Sequence, residues 1–446
     1  MKAAFLLLIA LLAGCVKEVY KAEPLESVMT TQAFVERTAA DAGLGEALAW
    51  DLSLLTQAAI KLHPDMQTAR AAWRAAQASE ITAGYKPAPS VSTNIEHLGR
   101  IDGSSPWIFS LVFDIPIETH GKREARIEQA LALSEAARLE IGKTAWAVRS
   151  RLRAKLLDGY ITRQKIQQLQ QEKLIRADIV ALLEKRLAVG LASSIEMADA
   201  RLQLRRIENA LAAEAGHLAE SRAALAAAIG LPEAAMDESR LSYTSFERAD
   251  LALPSQDVQR AALLNRLEIR QALARYAALE AKLKLEVAKQ YPDINLAPGY
   301  AWDQGANRWG LGLSLLLAFL QDKNQGSIAE AKAERELAVR QFEALQATVI
   351  GEQEQALARW NAALNEVAQL QKLATAQQAR LAQTQSQFDV GQVDRLELNL
   401  TKLELLAANA NVSVAQSKVQ QALGQVEDAV QQPLDGSVAL PELEEK

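Results

Sequence analysis

Histidine and cysteine are the side chains best suited to bind metals, and this sequence holds few of either. Its four histidines are scattered, with no pair at helical ligand spacing and no cysteine beside them: His63, His97, His120 and His217. We therefore expect no dedicated metal site. No phosphate-binding loop, nucleophile elbow or dinucleotide-binding fingerprint occurs. The sequence thus predicts no cofactor and no enzymatic activity.

The single cysteine lies where a different chemistry is expected. Residues 1–2 are a short basic start, residues 3–12 are apolar, and small residues precede Cys15. This order is typical of an export signal in residues 1–14, too short to be a stable membrane anchor. The ending Leu12-Ala13-Gly14-Cys15 resembles a lipoprotein box, in which the cysteine thiol is acylated. Residue 16 is Val rather than the Asp that resembles an inner-membrane retention signal, so the outer membrane is favoured. The alternative is an ordinary signal peptide with a chance cysteine.

The composition favours long helices packed side by side. Of 446 residues, 49% are apolar but only 5% are aromatic, which does not suit a globular α/β enzyme. The net charge of −6 offers no basic surface for nucleic acid. Beyond the export signal, no stretch is long and apolar enough for a transmembrane helix. A membrane-spanning part would therefore have to be built from strands.

An internal repeat with a period of about 200 residues covers nearly the whole mature chain. Its clearest match pairs residues 189–196 with residues 390–397. The repeat divides the chain into an N-terminal periplasmic segment (15–48), a first repeat (49–230), an inter-repeat equatorial segment (231–254), a second repeat (255–431) and a C-terminal tail (432–446).

Each repeat is predicted to hold a medium helix, two strands, a very long helix, a tight turn and another medium helix. The predicted helices span residues 51–84, 121–189 and 194–229 in the first repeat, and 255–290, 326–390 and 394–430 in the second. At 1.5 Å per residue the long helices reach about 100 Å. Heptad stripes such as Met197 to Leu225 favour antiparallel hairpins that pack laterally. An ordinary helical bundle or a structural coiled coil would show the same stripes.

Segments with a period of two lie between the helices of each repeat. Polar loops at residues 99–105 and 304–308 join them into hairpins. One face is apolar and aromatic, whereas the other is small and polar, as in the wall of a membrane barrel. The residues predicted to face the membrane are Trp107, Phe109, Leu111, Phe113, Trp309, Leu311, Leu313 and Leu315. A hairpin covered by helices in a water-soluble protein would show the same alternation.

Four strands cannot close a barrel, and open strand edges in lipid leave backbone groups unpaired. The strands must therefore join those of other subunits. Three copies would supply a wall of about twelve strands, which fits known barrel sizes.

These features resemble the TolC-type outer-membrane efflux proteins over residues 45–431. The shared motifs are His63-Pro64-Asp65, Pro87-Ala88-Pro89-Ser90 and a Val-Gly-x-x-x-x-(Ile/Leu)-Glu pattern at both helix turns. The junctions at residues 117–126 and 322–331 resemble the cobalt–zinc–cadmium efflux branch. The resemblance implies a homotrimer with a 12-stranded β-barrel in the outer membrane and an α-barrel tunnel of long helical hairpins across the periplasm. It also implies a periplasmic adaptor protein and an inner-membrane pump of the resistance-nodulation-division type as partners.

The resemblance places the two Val-Gly turns at the periplasmic tip, in contact with the adaptor. The residues concerned are Val189, Gly190, Ser194, Val390, Gly391 and Asp394. Gly190 and Gly391 can adopt the positive φ that a helix reversal needs, and Ser194 and Asp394 are expected to be N-caps. Glu196 and Glu397 then become candidates for a pore constriction, because threefold symmetry would make each a ring of carboxylates. A solvated glutamate on a helix face is the competing interpretation. Leu400 stands where some relatives carry a second acid, so a double acidic constriction is not expected.

The predicted function is a passive duct of a tripartite efflux system, anchored in the outer membrane of a Gram-negative cell and reaching into the periplasm. Heavy-metal cations are one class of solute that the branch resemblance suggests. Two alternatives stay open: a non-conducting coiled-coil lipoprotein that tethers envelope layers, and a secretion duct for peptides.

Overall fold

The computed structural model describes residues 20–99, 105–247, 265–315 and 323–434. Cys15 and the last part of the predicted tail lie outside these residues. The helices are α1 (Ser27–Val35), α2 (Leu52–Leu62), α3 (Pro64–Ala83), α4 (Lys122–Ala188), α5 (Ser194–Ile229), α6 (Thr244–Glu247), α7 (Leu267–Ala288), α8 (Gln325–Asp389) and α9 (Arg395–Val430). The strands are β1 (Ser90–His97), β2 (Trp107–Ile117), β3 (Ile294–Asp303) and β4 (Ala306–Leu315).

Two long helical hairpins dominate the structure and confirm the predicted fold class, mainly α with a small β part. Helix α4 has 67 residues and α8 has 65, so each is about 100 Å long. Each long helix turns back sharply into a 36-residue partner, α5 or α9. The heptad stripe of α5 meets α4, with Met197 and Leu225 buried and Leu204, Leu211 and Leu218 half-buried.

The medium helix predicted over residues 51–84 is wrong, because the structure breaks it at His63. His63 has φ −59° and ψ 132°, which ends α2, and Pro64 begins α3. A proline ring disfavours the α conformation in the residue before it and itself suits the first position of a helix. In the second half, Arg266 has φ −54° and ψ 136° and is the N-cap of α7, so the predicted helix over residues 255–290 is described only from α7 onward.

Mild acid should destabilise the protein through His63. The buried His63 ring caps α3, since Nδ1 accepts a hydrogen bond from the Asp65 N–H at 3.1 Å. Burial lowers the pKa of His63, Asp65 opposes this shift, and Arg151 adds to it. Because the unfolded chain binds the proton more readily, stability falls as the pH drops below about 6.5 toward the folded-state pKa. We expect the Tm to fall between pH 7.5 and 5.5, and to fall less in His63→Asn, which keeps a capping oxygen. An equal fall in both proteins would remove His63 as the cause.

The four strands form one antiparallel sheet in the order β1-β2-β3-β4. Val91 lies opposite Phe113, Phe109 opposite Trp302, and Tyr300 opposite Trp309. Since the central pair joins the strand hairpin of each half, the sheet unites the two halves of the chain.

The predicted loop over residues 304–308 is too long. Only Gln304 and Gly305 form the turn, with φ of 53° and 100°. Two successive residues at positive φ make a two-residue hairpin turn, so Asn307 and Arg308 are already in β4. Arg308 of β4 forms an ion pair with Asp303 of β3 at 2.9 Å, across the turn.

An apolar core lies where the first repeat meets the inter-repeat segment. It contains Trp50, Leu55, Leu152 and Ile229, all about 1% exposed or less. Arg37 fastens the N-terminal segment to this region by donating to the carbonyl oxygens of Leu62 and Gly230. These carbonyls lie at the C-terminal ends of α2 and α5, where a cation is favourable.

A buried ionic cluster joins α4 to the end of α9. The Glu427 side chain is fully buried, with one carboxylate oxygen 3.1 Å from Arg149 and 3.1 Å from Arg153. Its other oxygen accepts from the Leu434 N–H at 2.7 Å. This cluster is a second connection between the two halves, far from the sheet in sequence.

Candidate functional site: the helical tip and the strand surface

The first tip turn is built by a glycine and a capping box. Gly190 adopts φ 74°, and the Leu191 N–H returns to the Arg186 carbonyl at 2.8 Å. Ser193 is the N-cap of α5: its hydroxyl accepts from the Glu196 N–H at 3.1 Å, and the Glu196 carboxylate accepts from the Ser193 N–H at 2.7 Å. The prediction of Ser194 as the cap is therefore wrong by one residue. Only Ser193 stands three positions before a glutamate, the spacing that the box requires.

The second tip turn has the same form without the reciprocal box. Gly391 adopts φ 76°, and the Gln392 N–H bonds to the Gln387 carbonyl at 2.8 Å. Asp394 is the N-cap of α9, as predicted, and accepts from the Glu397 N–H at 3.0 Å. Aligning the two turns pairs Ser193 with Asp394, a signal that could have identified the first cap from the sequence.

Two ion pairs join the hairpins at this end. Arg186 of α4 lies 2.6 Å from Asp394, and Arg395 of α9 lies 3.1 Å from Asp178. The pKa of Asp394 is lowered, first by the hydrogen bond from Arg186 and then by the Glu397 N–H. Since its folded pKa lies below the unfolded value, the stability that Asp394 adds is present above about pH 4 and is lost as the pH falls through the folded value. These cross-links could not be predicted from the sequence, because the pairs lie more than 200 residues apart.

The two glutamates proposed for a constriction differ in their surroundings. Both are exposed in the single chain. The Glu196 carboxylate is committed to its capping box, and the hydrogen bonds from the Ser193 backbone and hydroxyl lower its pKa. The Glu397 carboxylate forms no ion pair with any residue that the structure describes. Of the two carboxylates, only that of Glu196 is therefore engaged with groups that the structure describes.

Apolar side chains are strongly exposed around both turns. Val189 and Val390 are each 69% exposed, and Leu191 and Ile195 of the first turn exceed 70%. Next to these turns, Ile179 and Leu183 of α4 pack against Met197 of α5 in a small buried cluster.

Asp394→Ala should loosen the start of α9 more than Asp394→Asn. Alanine removes the cap and costs about 1–2 kcal/mol. Asparagine keeps a capping oxygen and loses only the partly exposed ion pair, worth about 0–1 kcal/mol. Hydrogen exchange of the amides of residues 395–398 measures the difference. If asparagine raised exchange as much as alanine, the charge rather than the cap would hold this turn.

The strand surface has one apolar face across all four strands. Its members include every predicted membrane-facing residue, and the register brings them together with partners such as Val91, Ile95, Leu296 and Trp302. On β4, Trp309, Leu311 and Leu313 are 82%, 73% and 63% exposed. A continuous exposed apolar face across four strands is typical of a binding surface or a membrane surface.

Aromatic rings gather at the turn end of this face. His97 meets Trp107 with ring centroids 4.6 Å apart, and Phe109 meets Trp302 at 5.8 Å. On the neighbouring hairpin, Tyr300 meets Trp309 at 4.8 Å. The opposite face of the sheet is mostly small or polar, with Ser110, Gly299 and Ser314 among its members, and it also holds Ile108 and Val112.

The sheet is fixed to the helices by a junction that the sequence did not reveal. Lys122, at the start of α4, is buried and donates to the Tyr291 carbonyl and the Asp293 carboxylate, each at 2.7 Å. The Thr119 N–H donates to the same carboxylate at 3.0 Å. The His120 and Tyr291 rings stack at 3.5 Å. The strand-to-helix motif was visible in the sequence, but its partner segment was not.

No helix among the described residues is both long enough and apolar enough to cross a membrane. Within the same residues, no group of three or more His, Cys, Asp or Glu side chains is arranged to hold a metal ion.

Comparison with known proteins gives a consistent result. CzcC, the cobalt-zinc-cadmium resistance protein of Cupriavidus metallidurans, is 26% identical over 251 residues. That match covers 55% of this chain and 57% of CzcC, so the chain spans little more than half of this relative.

Two solved structures share the fold. The outer membrane protein VceC of Vibrio cholerae matches with a TM-score of 0.69 and 20% identity, over 85% of this chain and 95% of VceC. The MtrE outer membrane channel of Neisseria gonorrhoeae, solved in an open state, matches with a TM-score of 0.70 and 16% identity, over 85% of this chain and 88% of MtrE.

The sequence pattern described as outer membrane efflux protein matches twice, over residues 55–231 and 258–430. These two matches cover well over half of the chain and include both tip turns and all four strands. The chain therefore belongs to the outer membrane efflux protein family.

Proposed function

We propose that three copies of this chain form a passive duct through the outer membrane and across the periplasm, as one component of an efflux system. The observation that carries the proposal is the sheet with one exposed apolar face, mounted on helical hairpins about 100 Å long. Lipid would cover that face, and the hairpins would form the wall of a tunnel below it.

The open edges of the sheet support a shared barrel. Among the described residues, β1 and β4 each pair with a strand on one side only. An edge in hydrocarbon leaves its N–H and C=O groups unpaired, which costs several kcal/mol per group. Three copies supply twelve strands, an even number within the range of outer-membrane barrels.

We place the partners at the tip. The exposed apolar residues beside Gly190 and Gly391 suit contact with a periplasmic adaptor, which would connect the duct to an inner-membrane pump of the resistance-nodulation-division type. The same surface includes Val189, Ser194, Val390 and Asp394.

We also propose a division of the chain into a signal at residues 1–14, a lipid anchor at Cys15, two repeats and an equatorial segment between them. Acylation of Cys15 would add a second attachment to lipid.

Heavy-metal cations are the proposed cargo, on the basis of the likeness to CzcC. Threefold symmetry would gather three Glu397 carboxylates into a ring, which favours cations and disfavours anions. Replacing Glu397 with Gln should reduce cation over anion selectivity in planar bilayers by severalfold. Glu196→Gln is the matched control, since the Glu196 carboxylate is engaged in its capping box. Equal selectivity in both variants and the natural protein would exclude the ring.

Membrane extraction followed by native mass measurement tests the duct itself. We expect a trimer that conducts in a planar bilayer. A water-soluble monomer, or a trimer with no conductance, would instead favour the tethering lipoprotein.

A further inference from the structure

In the shared barrel of the proposed function, β4 of one copy pairs antiparallel with β1 of the next, and we propose the register of this seam: Leu313 lies directly opposite Ile95 of the neighbour. This register rests on the shared barrel of the proposed function and adds to it the pairing at the seam between copies.

The two edges are exposed and of matching direction. All eight residues of β1 and all ten of β4 are exposed. The strands alternate in direction along the sheet, so the β4 edge of one copy meets the β1 edge of another in the antiparallel sense. Both edges keep an apolar face, with Leu313 on β4 and Ile95 on β1. A register that preserves this face must place Leu313 opposite an odd-numbered residue of β1.

The central pair of the sheet is a template for the seam, because it already joins one half of the chain to the other. Leu111 lies ten residues before Gly121, the N-cap of α4, and is paired with Tyr300. Tyr300 lies eleven residues after Lys289, the C-cap of α7. The strand therefore meets its partner at a fixed distance from the two helix ends.

The same helix ends flank the free edges. Asn324, the N-cap of α8, adopts φ 57°, similar to the 72° of Gly121, and Gly84 is the C-cap of α3. Ten residues before Asn324 is Ser314, and eleven residues after Gly84 is Ile95. The template would therefore place residue 314 opposite Ile95. Because Ser314 is on the polar face, the alternation moves the partner of Ile95 by one position, to Leu313 or Leu315.

The tilt of the strands decides between these two. Within one copy, Ile95 lies level with Phe109, Trp302 and Asn307. If Leu313 lies opposite Ile95 of the neighbour, the residue level with Ile95 shifts from Asn307 to Leu313, an offset of about six residues per copy. Around a ring of three copies the offset adds up to about 18 residues, and the strand tilt follows from roughly 3.3 Å per residue along a strand and 4.8 Å between strands. The strand tilt is then about 45°, at the upper end of the usual range. Leu315 opposite Ile95 would require about 55°, which is outside it.

The proposed register is also compatible with the polar face. It sets Ser314 opposite Asn94 and Gly312 opposite Glu96 of the neighbour. Gly312 leaves room for the Glu96 side chain, which already accepts a hydrogen bond from Asn94 at 2.6 Å. No charged side chain is forced onto the apolar face.

Cysteine cross-linking in the assembled full-length protein tests the register. The pair Leu313→Cys with Ile95→Cys should form a disulfide between copies at least about fivefold faster than pairs shifted by two residues, since opposite Cβ atoms lie about 5 Å apart and diagonal ones about 7–8 Å. The shifted controls keep Leu313→Cys and combine it with Thr93→Cys or His97→Cys, all on the same face. Leu313→Cys alone controls for reaction with Cys15, the single native cysteine.

Native mass measurement of each variant separates the outcomes. Trimers that cross-link fastest through residue 95 support the register. Trimers that cross-link fastest through residue 93 or 97 overturn the register and leave the duct intact. Variants that stay monomeric and cross-link through no pair overturn the shared barrel itself.

Discussion

Glu427→Gln should be among the most destabilising single changes in this chain, by about 3–5 kcal/mol. Glutamine nearly matches the shape of glutamate but removes the negative charge that contacts both buried guanidinium groups. The Glu427 side chain is 0% exposed, and those of Arg149 and Arg153 are 2% and 5% exposed. Water cannot replace the lost carboxylate, so the cost is that of weakening a charge pairing in a medium of low polarity.

The rate of proteolysis during heating measures this effect in the detergent-extracted protein, where unfolding is irreversible. Glu366→Gln is the matched control, because Glu366 pairs with Lys418 at 2.7 Å on the surface. An exposed pair contributes about 0–1 kcal/mol. Equal loss in both variants would show that the buried cluster does not hold α4 against α9.

Leu313→Arg should largely abolish assembly in the membrane. An arginine on the lipid-facing side of a barrel costs about 2–4 kcal/mol near the bilayer midplane, and each of three copies would carry it. Ser314→Arg, one residue along on the opposite face, should assemble nearly as the natural protein does. The yield of trimer from extracted outer membranes compares the two.

Equal assembly of the Leu313→Arg and Ser314→Arg variants would contradict the assignment of this face to lipid. That result would favour a sheet covered by protein instead. The two variants share the added charge and the same strand, so a difference between them reports the face alone.

Features set by local chemistry were predictable from the sequence. The heptad stripe from Met197 to Leu225 predicted the packing of α5, and the strands followed from alternation. The tip turns followed from the repeated Val-Gly pattern, because only the glycine can adopt φ near 75° without strain. Asp394 was predictable as a cap because capping also depends only on neighbouring residues: its carboxylate accepts from the Glu397 N–H.

Features set by contacts between distant segments were not predictable. Lys122 is buried because Asp293 and Tyr291 come from the other half of the chain, and nothing around Lys122 indicates these partners. Arg186 and Asp394 are 208 residues apart. The break at His63 is different: Pro64 was a local signal for it, and the apolar periodicity on both sides concealed that signal.

Each helix that starts at a tip turn is capped by a residue of its own hairpin. The stability of its first turn therefore does not depend on the contacts between the two hairpins. Asp394 keeps its bond to the Glu397 N–H whether or not Arg186 stays in place, and Ser193 caps α5 with no help from the other hairpin. The attachments, Arg186 to Asp394 and Arg395 to Asp178, involve partly exposed charges that dissolved ions screen within about 10 Å at 0.1 M. Raising the ionic strength should therefore weaken the charged contacts between the hairpins, while Leu396 and Leu403 still pack against the cluster of Ile179, Leu183 and Met197 and each helix keeps its cap.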